Sequence, residues 1–270
     1  MKNKITRIVV IDLIFLLLLI ISSGIPNPLL SDAVYYLAFL IPIFIGMLML
    51  RKDREELRDS DEIRRIELRI SGKAALKAAP LVFPAISLIC LISYLTALIM
   101  GALGYVSSST VSEPLPLAII LHALIPALLE EMLFRYIPLN LMADNPKCAV
   151  VISSLLFAFS HANIFQIPYA AAAGIAFALI DLATGSVVPS FAIHLLNNIT
   201  SLLLMLEIGT VAVFISLGAL SVISVVAVAV RRAEYKKFLM PLTKRGGRVE
   251  YGASTAIFVL LTLAIAITAL

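Results

Sequence analysis

Charged residues are scarce in this chain. They make up 14% of its 270 residues, while 61% of the residues are hydrophobic. A soluble domain carries about a quarter charged residues, so this shortage of charge excludes an ordinary soluble domain. No stretch alternates apolar and polar residues as the strands of a membrane barrel do, which excludes a β-barrel. The sequence therefore predicts an all-α fold, a polytopic transmembrane helix bundle.

Several familiar reaction centres are also missing. The two cysteines, Cys90 and Cys148, lie in different segments and predict no disulfide framework, metal knuckle or paired redox motif. There is no His-Glu-x-x-His metal helix and no serine in a nucleophile-elbow context. The basic residues are concentrated in two loops and do not form a face for nucleic acid, so no nucleic acid partner is expected. Any chemistry must come from the few polar residues inside the apolar segments.

The apolar segments predict eight or nine membrane spans, because ~17–25 apolar residues cross a bilayer as a helix. The first is too long for the core of a signal peptide and no small-residue cleavage site follows it, so it is expected to remain as a span. We expect one integrated membrane domain, with N-terminal spans and a charged loop in 1–110, catalytic helices in 115–205 and C-terminal spans in 206–270. The candidate spans are 5–23, 33–50, 80–103, 115–142, 148–163, 167–184, 187–206, 209–230 and 252–270.

Lysine and arginine predict the orientation of these spans. They cluster in the loops Arg51–Lys77 and Arg231–Arg248, whereas the connections at Pro26–Pro28 and Ser107–Ser112 contain neither. By the positive-inside rule the N-terminus and both basic loops are cytoplasmic, in a multi-pass protein of the cell membrane. The mixed charges of Arg51–Lys77 predict a solvated cytoplasmic helix laced with salt bridges, with docking of a partner as the alternative.

Charge inside a span is the main anomaly of the sequence, and it lies in Glu-Glu-Met-Leu-Phe-Arg at 130–135. Each such charge costs roughly 2.5–3.5 kcal/mol at the centre of a span, so these groups are expected to face the bundle interior or a water-filled cavity. Glu131 and Arg135 are four residues apart and can pair on one helix face. Glu130 lies about 100° round the helix and lacks that partner. We therefore expect Glu131 and Arg135 to support the structure and Glu130 to perform chemistry.

Two further groups of polar residues are expected to meet Glu130. The turn near Pro146 makes the fifth span antiparallel to the fourth, which places His161 at about the depth of Glu130. His194 and Asn198 share one face of a later helix. His122 is expected to be a core histidine with a bundle partner. Asp181 and Thr184 are expected at the membrane interface, with Asp181 lining the cavity as the alternative.

These four polar side chains suit water attack on an amide bond. A desolvated glutamate can take a proton from water, and His161 can orient that water. Hydrogen bonds from His194 and Asn198 can stabilise the resulting oxyanion. The expected pocket is wet and opens towards the cytoplasm. Two other classes stay open: a non-catalytic partner-binding or immunity protein, and a proton-coupled transporter, for which no paired inverted halves are visible.

Three motifs in this order resemble the CAAX prenyl protease type 2 family, which includes the lysostaphin resistance protein A-like proteins. They are Glu-Glu-x-x-x-Arg at Glu130–Arg135, Phe-x-x-x-His at Phe157–His161 and His-x-x-x-Asn at His194–Asn198. The resemblance implies an intramembrane endopeptidase that removes the last residues of a prenylated C-terminal peptide. Its implied partners are membrane lipid and a peptide or lipidated C-terminal protein substrate.

The same resemblance implies the roles of the site residues. Glu130 and His161 would activate water, and His194 and Asn198 would form an oxyanion hole. Glu131 and Arg135 would support the site. The family is sometimes described as metal-dependent, and Glu130, His161 and His194 form a known type of zinc ligand set. We favour catalysis without a cofactor, because His194 has a use beside Asn198 as an oxyanion donor.

Overall fold

A computed structural model describes residues 2–56, 65–105 and 111–239 of the chain. Seven helices in these ranges are long and apolar enough to cross a membrane, and the apolar helix Pro146–Ser160 is shorter. The expected span at 252–270 lies outside the described residues. The helices are α1 (Lys2–Ser23), α2 (Pro28–Glu56), α3 (Gly72–Ala102), α4 (Leu115–Leu141), α5 (Pro146–Ser160), α6 (Ile167–Thr184), α7 (Val188–Met205), α8 (Thr210–Val230) and α9 (Arg232–Leu239).

The described part of the chain confirms the predicted all-α membrane bundle, because it contains helices and a single isolated β-bridge but no strand. Local sequence explains where the helices begin and end. The Asn145 side chain accepts a hydrogen bond from the Cys148 backbone and caps α5. Gly185, with φ of +74°, ends α6 in the left-handed conformation that glycine adopts without strain. Short connections at both places reverse the chain direction.

Helices α5 and α6 pack at backbone distance. A Cβ atom added to Gly174 of α6 would lie 2.9 Å from the Cα atom of Ser154 on α5. Small residues allow such close approach in membrane bundles, where lipid supplies no hydrophobic drive for association. This contact fixes α5, whose last turn leads into His161, against the following helix.

One end of the bundle, here called the basic end, is tied together by polar contacts between helix termini. Lys4 at the start of α1 pairs with Asp144 at 3.0 Å, in the turn between α4 and α5. Arg7 pairs with Asp53 near the end of α2 at 2.8 Å. The Tyr235 hydroxyl of α9 donates to the Lys77 carbonyl near the start of α3. The starts of α1, α3 and α5 therefore lie with the ends of α2, α4 and α8.

The expectation of one charged helix across Arg51–Lys77 is wrong for residues 65–71. Helix α2 continues to Glu56, but the described residues from Arg65 to Ser71 are extended rather than helical. Glu67 exchanges backbone hydrogen bonds with Gly185 and Val187, in the turn between α6 and α7. The Asn140 side chain pairs with both backbone groups of Ile66. Contacts with the bundle satisfy this backbone, so a local helix is unnecessary.

Candidate functional site

Two π-helical turns interrupt α4 on either side of its paired glutamates. They cover Ile120–Leu124 and Met132–Tyr136, with a regular helical segment Ile125–Glu131 between them. A π-helical turn accommodates an extra residue and is often found at functional sites. The two turns rotate the glutamate-bearing segment relative to both ends of α4. This rotation cannot be read from ideal helical spacing.

Glu131 joins α4 to α7 through an imidazole. Its Oε1 accepts a hydrogen bond of 2.8 Å from Nδ1 of His194, and its Oε2 lies 3.7 Å from Nε of Arg135. All three side chains are buried. Because an ionised carboxylate only accepts, the His194 hydrogen is placed on Nδ1. Sequence reasoning paired Glu131 with Arg135 but missed its contact with His194.

Arg135 is held by the protein interior. Its Nη1 donates to the Phe134 carbonyl at 3.0 Å and to the Ser153 hydroxyl at 3.4 Å. The guanidinium lies 4.3 Å from the ring centroid of Phe157, within the range of a cation–π contact. It thus lies below the site without being exposed to it.

Phe157, the first residue of the second motif, holds both histidines. Its carbonyl accepts a 2.8 Å hydrogen bond from Nδ1 of His161. Its ring lies edge-on to the imidazoles of His161 and His194, at centroid distances of 4.9 and 5.6 Å. The motif spacing showed that Phe157 shares a face with His161, but it gave no indication of the contact with His194. A carbonyl partner at Nδ1 leaves Nε2 of His161 as an acceptor.

Glu130 lies near His194 but is too far away for a hydrogen bond. Its Oε2 lies 3.6 Å from Nε2 of His194, and this oxygen has no hydrogen bond among the described residues. Its side chain retains 15% of its exposure, compared with 2% for Glu131. The adjacent glutamates therefore differ in environment: Glu131 is buried between His194 and Arg135, whereas Glu130 borders open space.

The four candidate catalytic residues, Glu130, His161, His194 and Asn198, line one cavity of about 280 Å³, here called the histidine cleft. The remaining lining residues are His122, Pro126, Gln166, Tyr169, Ser201, Leu202 and Met205. A second cavity of about 240 Å³, the aromatic cavity, meets the cleft at three residues that line both, Glu130, His161 and Gln166. It extends between α1, α2 and α4 and is lined further by Phe15, Leu19, Tyr35, Phe39, Phe134 and Ser160.

The structure also places three further polar residues, Asp181, Thr184 and His122. Asp181 and Thr184 lie at the end of α6, and both are buried within the bundle. The Asp181 Oδ1 accepts from the Ser190 backbone N–H at 3.2 Å, which satisfies a free donor in the first turn of α7. His122 is half-exposed at the histidine cleft and lies 3.5 Å from Glu113, so it is not a core histidine.

The histidine cleft extends away from the basic end. Its lining residues on α4 run from Glu130 back towards His122, and those on α7 run from His194 forward to Met205. These are the directions of the start of α4 and the end of α7. The expectation of a pocket opening on the same side as the basic loops is therefore wrong. Depth along the helices predicted that Glu130 and His161 would lie close together. It did not predict at which end of the bundle the site is covered by protein.

The donor chemistry of the proposed zinc set fits a zinc ion, because both histidines already hold the Nδ1 partners that metal-bound histidines usually have. Zinc ligands lie at ~2.0–2.2 Å from the metal. Among the described residues, no three His, Cys, Asp or Glu side chains are grouped closely enough to hold a metal ion.

A comparison with protein families gives one match, which covers all three motifs. Residues 111–200, about a third of the chain, match the family model described as Rce1-like, type II CAAX prenyl endopeptidase. No curated protein and no solved structure matches the chain. The resemblance predicted from the motifs is therefore confirmed. Residues 111–200 are therefore similar to CAAX-type membrane proteases, and they lie in a bundle of helices long and apolar enough to cross a membrane.

Proposed function

We propose that this chain is a protease of the type II CAAX prenyl endopeptidase kind, and that it cleaves peptide bonds near the membrane with a water molecule activated by Glu130 and His161. One observation carries the proposal: the four polar side chains expected to react line a single cleft, although they come from three separate parts of the chain. Their supporting partners, Glu131 and Phe157, lie behind them.

Glu130 is the proposed general base. It is partly desolvated, its Oε2 lacks a hydrogen bond, and it borders the open space of the cleft. A water molecule between Glu130 and the Nε2 acceptor of His161 would be held by two acceptors, with its oxygen lone pair directed at the substrate carbonyl carbon. Glu130 takes one proton as the C–O bond forms, and later gives it to the amine as the C–N bond breaks. General acid–base catalysis of this kind contributes about 10²–10⁴-fold.

His194 and Asn198 are the proposed donors to the oxyanion. The Nδ1 hydrogen of His194 is used by Glu131, so only Nε2 can face the substrate. When both ring nitrogens of His194 carry hydrogen, Nε2 can donate to the oxyanion while Nδ1 donates to Glu131. Each oxyanion donor is worth about 2.7–4 kcal/mol in a studied protease.

Arg135 completes the proposed support. The positive charge of Arg135 offsets the negative charge of Glu131. Arg135 also contacts Phe157, which packs against both histidines. The proposed substrate is a peptide or lipidated protein held at the bilayer.

The proposal is tested by cleavage of membrane-anchored peptides by the reconstituted protein. We expect Glu130→Gln to reduce the single-turnover rate about 10²-fold or more, because the amide cannot accept the proton. Glu113→Gln is the matched control, since that glutamate lies near the cleft mouth beside His122 and has no proposed catalytic role. Undiminished cleavage by Glu130→Gln would remove the assignment of the base.

A zinc-dependent reaction is the alternative for the same residues. Without a metal, chelator treatment leaves cleavage unchanged. Loss of cleavage in chelator, restored by added zinc, would establish Glu130, His161 and His194 as ligands instead. If the wild type cleaves no anchored peptide, a partner-binding or immunity protein replaces the protease, and proton flux without cleavage would indicate a transporter.

A further inference from the structure

The two ends of the bundle differ in charge as well as in structure. The end opposite the basic end, here called the open end, contains the described connections 24–27, 111–114, 161–166 and 206–209. None of them contains lysine or arginine, and the sequence of 106–110 between α3 and α4 is Val-Ser-Ser-Ser-Thr. The basic end carries the N-terminal lysines and the loop that begins at Arg51. Such an asymmetry orients a membrane protein with its basic end in the cytoplasm.

The site is sealed towards the basic end. Every residue from Leu133 to Met142 in the last part of α4 is buried, as are Asp181, Ser186 and Ser190 where α6 turns into α7. The extended segment that includes Ile66 and Glu67 is hydrogen-bonded across this floor. A peptide entering from the basic end would have to displace these contacts and the buried Arg135.

The site is open towards the other end. Moving from Glu130 towards the start of α4, the cleft is lined by Pro126 and then by the half-exposed His122. On α7 it continues past Asn198 to the exposed Ser201. The cleft therefore leads from the reacting groups to the open end.

We propose that the substrate is a peptide tethered to the outer leaflet and presented on the extracytoplasmic face, not a tail presented from the cytoplasm. This inference rests on the proposed protease function, and it deepens that function by naming the face from which the substrate comes. It follows from the sealed floor at the basic end, the open cleft at the other end and the distribution of lysine and arginine.

Cysteine labelling tests the direction of the cleft without requiring activity. Lys73→Cys marks the basic end, Ser112→Cys marks the open end and Ser201→Cys marks the cleft; all three positions are exposed. The unsubstituted chain is the control, because Cys148 is buried and Cys90 is partly buried. In sealed vesicles of both orientations, an impermeant thiol reagent should label Ser201→Cys from the same side as Ser112→Cys. Labelling from the side of Lys73→Cys overturns the proposal, and so does labelling of Lys73→Cys from the extracytoplasmic face.

Cleavage in sealed proteoliposomes tests the substrate itself. A lipid-anchored peptide is added only to the outside, and the orientation of each preparation is measured with the Lys73→Cys label. We expect the initial rate to follow the fraction of molecules whose basic end faces inward, and detergent to release the remaining activity. A rate that follows the outward-facing fraction overturns the proposal. Absence of cleavage even in detergent defeats the protease function instead, while the labelling result still decides the direction of the cleft.

Discussion

The two sides of the candidate site contrast in how their polar groups are partnered. On the side of the basic end, Glu131 and Arg135 are buried and engaged by His194, Ser153 and Phe157. On the side of the open end, the residues with proposed roles border empty space. Buried charges need partners. Reacting groups, in contrast, need donor and acceptor atoms that are still available to water and substrate. The contrast indicates that substitutions on the first side mainly affect folding and those on the second mainly affect turnover.

The largest expected effect on stability is that of Arg135→Ala. It leaves Glu131 as an uncompensated buried charge, so we expect the free energy of unfolding to fall by about 3–5 kcal/mol. The measurement is reversible unfolding in detergent, with Lys73→Ala as an exposed basic control. A loss below about 1 kcal/mol would show that the buried pair is not the support of the site.

Asn198→Ala is expected to show the opposite behaviour. Asn198 is only partly buried and lines the cleft, so the variant should remain folded. Removal of one oxyanion donor should lower the single-turnover rate about 10²–10³-fold. The adjacent Asn197, which is buried and does not line the cleft, provides a control through Asn197→Ala. A larger loss of rate in the control would reverse the assignment.

Asp181→Asn is expected to have the smallest effect. Asp181 caps the start of α7 through the Ser190 backbone, and the amide oxygen of asparagine can accept the same hydrogen bond. We expect a change of less than about 1 kcal/mol in stability, while Asp181→Ala should cost about 0.5–2 kcal/mol. Equal effects of the two variants on unfolding would show that the cap does not matter.

Much of this arrangement could be predicted from the sequence. Helical rise and the turn at Pro146 predicted that Glu130 and His161 lie at about the same depth, and helical spacing placed His194 and Asn198 on one face. The contact between Glu131 and His194 could not be predicted, since it depends on the π-helical turns of α4 and the placement of α7.

The errors have a common physical cause. The extended segment at Ile66–Glu67 and the direction of the cleft both depend on how separate helices cover one another at the basic end. Composition and periodicity identify which segments are helices. Composition and periodicity carry little information about which end of a bundle is closed by packed side chains and loops.

The adjacent glutamates test the central claim most directly, because they differ by one position and share the same chemistry. The measurement compares Glu130→Gln and Glu131→Gln for both the free energy of unfolding and the single-turnover cleavage rate. We expect Glu130→Gln to lower the cleavage rate about 10²-fold or more while the free energy of unfolding stays within about 1 kcal/mol of wild type, and Glu131→Gln to lower both quantities. Cleavage retained by Glu130→Gln, or an equal loss of stability in the two variants, would contradict the account.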